Sequence, residues 1–278
     1  MSRLVVVTHE FDRFGSPSDG AGDYLLFDVL KQLEGLGHSW VVSNGPNPIA
    51  GDVAFLHVDC TYVGKDYLAL AEHYPRTINF GTGDISKRTV SRLKLASDDD
   101  WGGKVMIKPN LNCGGLAEQG HNQRARRAGQ PPPHPAVPGK LPYCVVGSIA
   151  NVTPDEWANP NLIVERFMPE TDPQGFAIRT WVFMGARERC TRTVTPRWFA
   201  KASEAISYAP AEIPDELRRE RERLNFDYGK FDFVVNDGTP YLLDANRTPG
   251  AAPALAPLVK AGALNLAEGL DQLLRRPT

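Results

Sequence analysis

The chain lacks most of the marks by which function is read directly from sequence. Its 278 residues include four cysteines, Cys60, Cys113, Cys144 and Cys190, with no Cys-x-x-Cys pair among them. That scatter argues against a zinc ribbon and a disulfide framework, and suits free thiols in a reducing cytoplasm. Long apolar runs are missing as well. Leu4–Val7 gives way to polar residues, too soon for a signal-peptide core or a membrane span. No excess of one charge exists either. The formal net charge of −2 gives no case for binding nucleic acid or an acidic membrane. There is no Walker Gly-x-x-x-x-Gly-Lys-Ser/Thr, no Gly-x-Ser-x-Gly, no His-Glu-x-x-His, no kinase His-Arg-Asp and no internal repeat. What is present is the balance of a globular enzyme, 42% hydrophobic and 23% charged, in a chain too long for one small domain.

The first part of the chain reads as an α/β module. Leu4–Val7 is a buried strand, followed by a polar loop over residues 8–20. Leu25, Leu26, Val29, Leu30 and Leu33 give residues 24–36 helical spacing, ended by Gly35 and Gly37. Trp40–Val42 and Val53–His57 are the next strands. This order suits a Rossmann-like sheet. Gly20-Ala-Gly22 lacks the third glycine of a dinucleotide fingerprint. His57, Asp59 and Thr61 lie at a strand end, where open α/β sheets place ligands. They are substrate-side candidates, or a satisfied core histidine beside a turn.

The most informative stretch runs from Gly229 to Gly250. Phe231, Phe233 and Val235 alternate with Asp232 and Val234, Asn236-Asp237-Gly238 makes a tight turn, and Pro240–Ala245 returns. Asp244 and Asn246 are two apart and share a face, with Asp232 beside them on the first strand. Two carboxylates and an amide oxygen make a hard-oxygen site suited to Mg²⁺, with Mn²⁺ as an alternative ion. A second stretch is Val105-Met-Ile-Lys108-Pro-Asn-Leu-Asn112-Cys-Gly114-Gly115. A lysine at a strand end beside flexible backbone holds a phosphate by charge while loop N–H groups cradle others. Two more strands follow, Leu162-Ile-Val-Glu165-Arg166-Phe167 with Met168 and Glu170 behind, and Phe176–Gly185 containing Arg179. An arginine in an apolar strand needs a partner. A salt bridge to Glu165 or Asp232 is one answer.

Taken in order, these segments resemble the ATP-grasp superfamily, of the carboxylate–amine ligase type seen in glutathione synthetase and D-Ala–D-Ala ligase. Asp232, Asp244 and Asn246 match its metal-binding end, with Asp244 where most members have Glu. Lys108 matches the lysine on the nucleotide phosphate, and Asn112, Gly114 and Gly115 the mobile loop over the phosphates. Glu165, Arg166, Phe167 and Glu170 match the adenine hinge, with Glu170 or Glu165 as the ribose acceptor. Arg179 would neutralise the transferred phosphoryl group, and Lys201 would be a further contact. The family's first lysine would be Lys87 or Lys94, although only 21 positions separate Lys87 from Lys108.

The resemblance implies an α/β chain, more closely an α+β ATP-grasp fold behind a Rossmann-like domain. Residues 1–86 would form that first domain and 87–278 the ATP-grasp domain. The latter would divide into 87–168, with a mobile Gln/Arg/Gly/Pro-rich loop at 117–142, and a metal-binding part at 169–278. It implies ATP and Mg²⁺ as cofactors and small carboxylate and amine substrates, with ADP and phosphate released through an acylphosphate. No nucleic-acid or membrane partner is expected, and a homodimer is the common assembly. A small-molecule kinase and a non-catalytic nucleotide-binding protein are the alternatives.

Overall fold

The computed structural model describes residues 1–12, 24–139, 141–199, 204–250 and 256–275. Chain order begins with β1 (Arg3–Thr8), α1 (Leu25–Gly35), β2 (Ser39–Asn44), β3 (Val53–Leu56), α2 (Lys65–Ala69) and β4 (Arg76–Ile78). The four strands form a parallel sheet in the order β2-β1-β3-β4. Polar–apolar alternation is absent in β1 because both faces are covered, and Leu4, Val5, Val6 and Val7 are all fully buried. Helix α1 buries Leu25, Leu26, Val29, Leu30 and Leu33, the spacing of one helical face. Each such side chain contributes about 2 kcal/mol of apolar burial.

Next come α3 (Lys87–Val90), β5 (Val105–Pro109), α4 (Leu116–Arg127), β6 (Cys144–Val146), α5 (Pro154–Ala158) and β7 (Leu162–Arg166). Strands β6-β5-β7 make a small antiparallel sheet over a core of Val105, Ile107, Val152, Leu162 and Val164. Only the first part of the segment 117–142 departs from the loop expected for it, since residues 116–127 are helical, whereas residues 128–139 hold no helix or strand. The face of α4 turned inward is Glu118, His121, Asn122 and Ala125, at helical spacing but largely polar. An apolar stripe, the usual helix signal, is therefore missing.

The remainder is β8 (Glu170–Asp172), β9 (Gly175–Met184), β10 (Arg187–Thr195), β11 (Ser207–Pro210), α6 (Asp215–Arg223), β12 (Tyr228–Asn236), β13 (Thr239–Asn246) and α7 (Ala256–Arg275). The strands form a six-stranded sheet in the order β11-β10-β9-β12-β13, with β8 on β9. One face packs Trp181, Phe183, Phe231, Phe233 and Leu242 against Val90, Leu217 and Phe226. The other contributes Met184 and Tyr228 to a core shared with α1, β1, β3 and the Ala263, Leu266, Leu270 and Leu274 side of α7. Among the described residues no helix is long and apolar enough to cross a membrane.

Candidate active site

A cleft of about 780 Å³ lies between the small antiparallel sheet and the large one. Met106, Lys108 and Glu165 line it from one side, and Ile178, Asp232 and Asp244 from the other. The hairpin β12–β13 brings the acids there. Its turn places Asp237 and Gly238 at φ 47° and 77°, the left-handed pair that a tight hairpin demands. The register shifts after Asp232 yet leaves Asp232 opposite Asp244 and Lys230 opposite Asn246. Residues directly opposite on adjacent strands share a face. Asp232 accepts hydrogen bonds from Lys230 Nζ at 2.7 Å and Thr180 Oγ1 at 2.9 Å. Asp244 accepts from Lys87 Nζ, so Lys87 reaches the cleft. Lys94, the other candidate, turns away and donates to the Arg88 carbonyl at 2.7 Å.

Lys230 was not anticipated from the sequence. Its signal was the two-residue step to Asp232 on one strand face. Burial pushes the Lys230 ammonium down, but the Asp232 and Asp244 carboxylates outweigh this and hold it above the usual lysine range. Lys108 lies across the cleft, buried, with Nζ 2.8 Å from Glu165 Oε2 and 3.1 Å from the Leu243 carbonyl. The second oxygen, Glu165 Oε1, is buried without a hydrogen-bond partner among the described residues. An unpartnered carboxylate oxygen in a cleft is costly and suits a ligand donor.

Aromatic rings wall the same cleft. Tyr143 stacks on Phe199 with centroids 4.6 Å apart, and Phe167 meets Trp198 edge-on at 5.6 Å. Arg166, Phe167 and Met168 also line it. The glycine loop takes left-handed backbone at Cys113, Gly114 and Gly115. Gly114 lines the cleft, but Asn112 does not; it is buried, its backbone N–H donating to Thr61 Oγ1 at 2.9 Å. A Cβ on Gly115 would sit 2.8 Å from both Leu111 and Val137, at φ +80°. Gly115→Ala is thus expected to cost about 1–3 kcal/mol, read as a lower urea midpoint with unchanged slope. Burial, then the Asp244 charge, pushes the Cys113 thiol up, away from the thiolate.

Several expected residues lie elsewhere. Arg179 does not line the cleft. Its guanidinium grips Glu170 at 3.0 Å, joined by Arg192 at 2.6 Å, rather than Glu165 or Asp232. Antiparallel pairing of β8 with β9 and of β9 with β10 sets Glu170 beside both arginines. Glu170 also accepts from the Val235 N–H at 2.8 Å, so both its oxygens are engaged. Burial raises the Glu170 carboxyl, but the Arg179, Arg192 and Val235 donors outweigh it and hold it below the usual carboxylate range. A depressed carboxyl stabilises the fold above the ordinary carboxylate range and loses that contribution as pH falls through its folded value. Glu170→Gln is expected to lower stability at neutral pH and to flatten the acid limb of the stability–pH curve. Urea unfolding between neutral and acid pH measures both.

Asn246 shares the strand face but does not line the cleft, and its Oδ1 accepts from the Thr248 N–H at 2.8 Å. The chain turns sharply there and the amide closes that turn. His57 is fully buried and neutral, its pKa lowered to about 3 chiefly by burial. Asp59 is bonded to Tyr24 Oη at 2.9 Å and Thr248 Oγ1 at 2.7 Å, and the Thr61 N–H to Glu118 at 2.6 Å. Asp59 and Thr61 thereby tie the end of the parallel sheet to Tyr24, Thr248 and helix α4. Lys201, and Gly20-Ala-Gly22, lie outside the described residues.

A parallel module is followed by two antiparallel sheets, with a lysine- and aspartate-lined cleft between them, the arrangement of an α/β fold. Comparison with solved structures makes this specific. D-alanine–D-alanine ligase from Bacillus anthracis, complexed with ATP, matches with a TM-score of 0.52 at 14% identity, covering 99% of this chain and 98% of that one. The ATP-grasp ligase PsnB, complexed with a minimal precursor, matches at 0.56 and 13% identity, covering 97% and 99%. The macrocyclase MdnC from Microcystis aeruginosa, bound with its precursor peptide MdnA, matches at 0.50 and 10%, covering 95% and 99%. No protein-family model and no curated protein sequence matches the chain. The chain has the ATP-grasp fold.

Proposed function

We propose that the chain is an ATP-dependent ligase that joins a carboxylate to an amine through an acylphosphate, releasing ADP and phosphate. The observation behind this reading is the meeting of Lys87 and Lys108 with Asp232 and Asp244 in one aromatic-walled cleft, with Lys230 paired to Asp232. Mg²⁺ or Mn²⁺ would be held by Asp232 and Asp244, a hard-oxygen donor set, and would offset phosphate charge when bound. Lys87 lines the cleft, pairs with Asp244 and is positioned to exchange it for phosphate oxygens, while Lys230 balances the Asp232 charge. The Lys87 ammonium stabilises the charge that develops on a transferring phosphoryl group. Lys108, anchored by Glu165, supplies a second fixed charge. Tyr143, Phe167 and Trp198 offer faces to a planar base, and Glu165 Oε1 accepts from a hydroxyl or amine of the nucleotide. Arg179 and Arg192 position Glu170 at the rim. In this reading residues 87–168 and 169–278 clasp the nucleotide, and residues 1–86 meet the other substrate.

The test is ATP turnover with Mg²⁺, pooled carboxylic and amino acids and hydroxylamine, read by mass spectrometry. ADP with a hydroxamate is the expected result, and the trapped acid names the substrate class. ADP with a stable phosphorylated product and no hydroxamate would replace the ligase with a kinase.

A further inference from the structure

A second cluster lies beside the parallel sheet and takes no part in the chemistry above. His9 follows β1, His121 sits on α4, and His134 lies in the segment returning from α4 toward β6. One ring nitrogen of each lies within 4.8 Å of those of the other two. His121 Nδ1 is 3.0 Å from His134 Nε2, and the His9 ring stacks on His121 with centroids 3.9 Å apart. His9 and His121 are buried and His134 is half-buried, which leaves one edge open to solvent. Among the described residues this is the one group of three or more His, Cys, Asp or Glu side chains close enough to share an ion.

We propose that His9, His121 and His134 bind a divalent transition metal of the zinc class, which clips α4 and the 128–139 segment onto the parallel sheet. Three imidazole nitrogens are a borderline-soft donor set that favours Zn²⁺ over Mg²⁺. A tetrahedral ion with bonds of about 2.05 Å separates its nitrogens by about 3.3 Å, close to the His121–His134 spacing. The geometry is also supported from behind. Asn122 holds the backbone of the third ligand, donating to the His134 carbonyl at 3.1 Å and accepting from its N–H at 3.0 Å. Such outer contacts fix a ligand before the ion arrives. Burial, with the neighbouring rings and Arg124, holds His9 and His121 below the usual imidazole range, and burial does the same for His134.

Two charges face the cluster. Glu118, one turn before His121, acts on His134 and favours a cation; its Oε2 is buried without a partner among the described residues. Arg124, one turn after His121, opposes a cation and is held by the Phe11 carbonyl. The Phe11 N–H donates to His9 Nδ1 at 3.1 Å, which places that ring's proton on Nε2. Binding through Nε2 moves the proton to Nδ1 and gives up the Phe11 contact. The proton between His121 and His134 moves likewise to an outer nitrogen. Each change costs one hydrogen bond, which coordination offsets. Three ligands leave the fourth position to solvent.

The experiment uses protein purified without a polyhistidine tag and stripped of metal. Co²⁺ is titrated in and followed by its visible d–d absorption, then displaced with Zn²⁺. One equivalent of Co²⁺, displaced by Zn²⁺, and a Tm raised by Zn²⁺ are expected. His134→Gln should weaken binding at least about 100-fold while circular dichroism stays unchanged. Asp244→Asn should keep the Co²⁺ band. Wild-type protein that takes up no Co²⁺ or Zn²⁺ overturns the proposal, whatever the variants do. So does binding that survives His134→Gln, or a band that vanishes in Asp244→Asn. No readout depends on turnover, so this site stands or falls apart from the ligase reading.

Discussion

Asp244→Asn is expected to abolish ATP turnover, by about 10³-fold or more in kcat/KM, which corresponds to about 4 kcal/mol of transition-state stabilisation. Asp244 faces Asp232 across the hairpin and pairs with Lys87, a lysine with little exposure. The amide keeps the shape but removes an anionic oxygen. It thereby weakens the proposed metal site and leaves Lys87 without its carboxylate. The folded chain should persist, with Tm lower by a few degrees from the uncompensated lysine. Asp232→Asn should behave alike because Lys230 then loses its partner. Asn246→Ala makes the informative contrast. Its amide oxygen closes the Thr248 turn, so turnover should fall far less than in Asp244→Asn. Hydroxamate formation at undiminished rate in Asp244→Asn would remove Asp244 from the metal site.

Arg247→Ala should be the most destabilising single substitution considered, at about 3–5 kcal/mol. The side chain is wholly buried in the protein interior. Its guanidinium donates to the carbonyls of Val58 and Thr61 at 3.0 Å and 3.2 Å, and to those of Cys60 and Thr82. Truncation leaves several carbonyls unsatisfied and opens a cavity. Burial lowers the affinity of this group for its proton, which Cys60, Asp59 and Glu118 partly offset. Arg247→Lys should recover only part of the loss, since one ammonium cannot span the planar fork. Urea unfolding of the two variants measures the difference. A midpoint within error of wild type would show that the carbonyls find other donors.

The hairpin was legible in the sequence because local rules act together there. Alternating apolar residues, an Asp-Gly turn and an Asp and an Asn two apart all specify one strand pair and one face. Lys108 at its strand end and strand β7 were legible for the same reason. Helix α4 was not, because its inward face is Glu118, His121, Asn122 and Ala125 and carries almost no apolar periodicity. Arg179 shows a second limit. Sequence says that an arginine in such a strand needs a partner, but the choice of Glu170 follows from the pairing of β8 with β9, a tertiary fact. Arg247 was hidden beside the more conspicuous Asn246, since a guanidinium that satisfies carbonyls needs no acidic signature nearby.

Helix α7 sets the order in which the chain can mature. Its Ala263, Leu266, Leu270 and Leu274 complete the core begun by Leu4, Val6 and Leu26. Translation reaches those residues on the order of tens of seconds after the opening strand. Until then the nascent parallel sheet has a bare apolar flank. The core around the parallel sheet therefore cannot be completed until residues 256–275 have been synthesised. A chain stopped before Ala256 should stay soluble only with a chaperone and should bind a hydrophobic dye that the longer chain excludes. The helix latest in the chain thus helps to close the core that the opening strand begins.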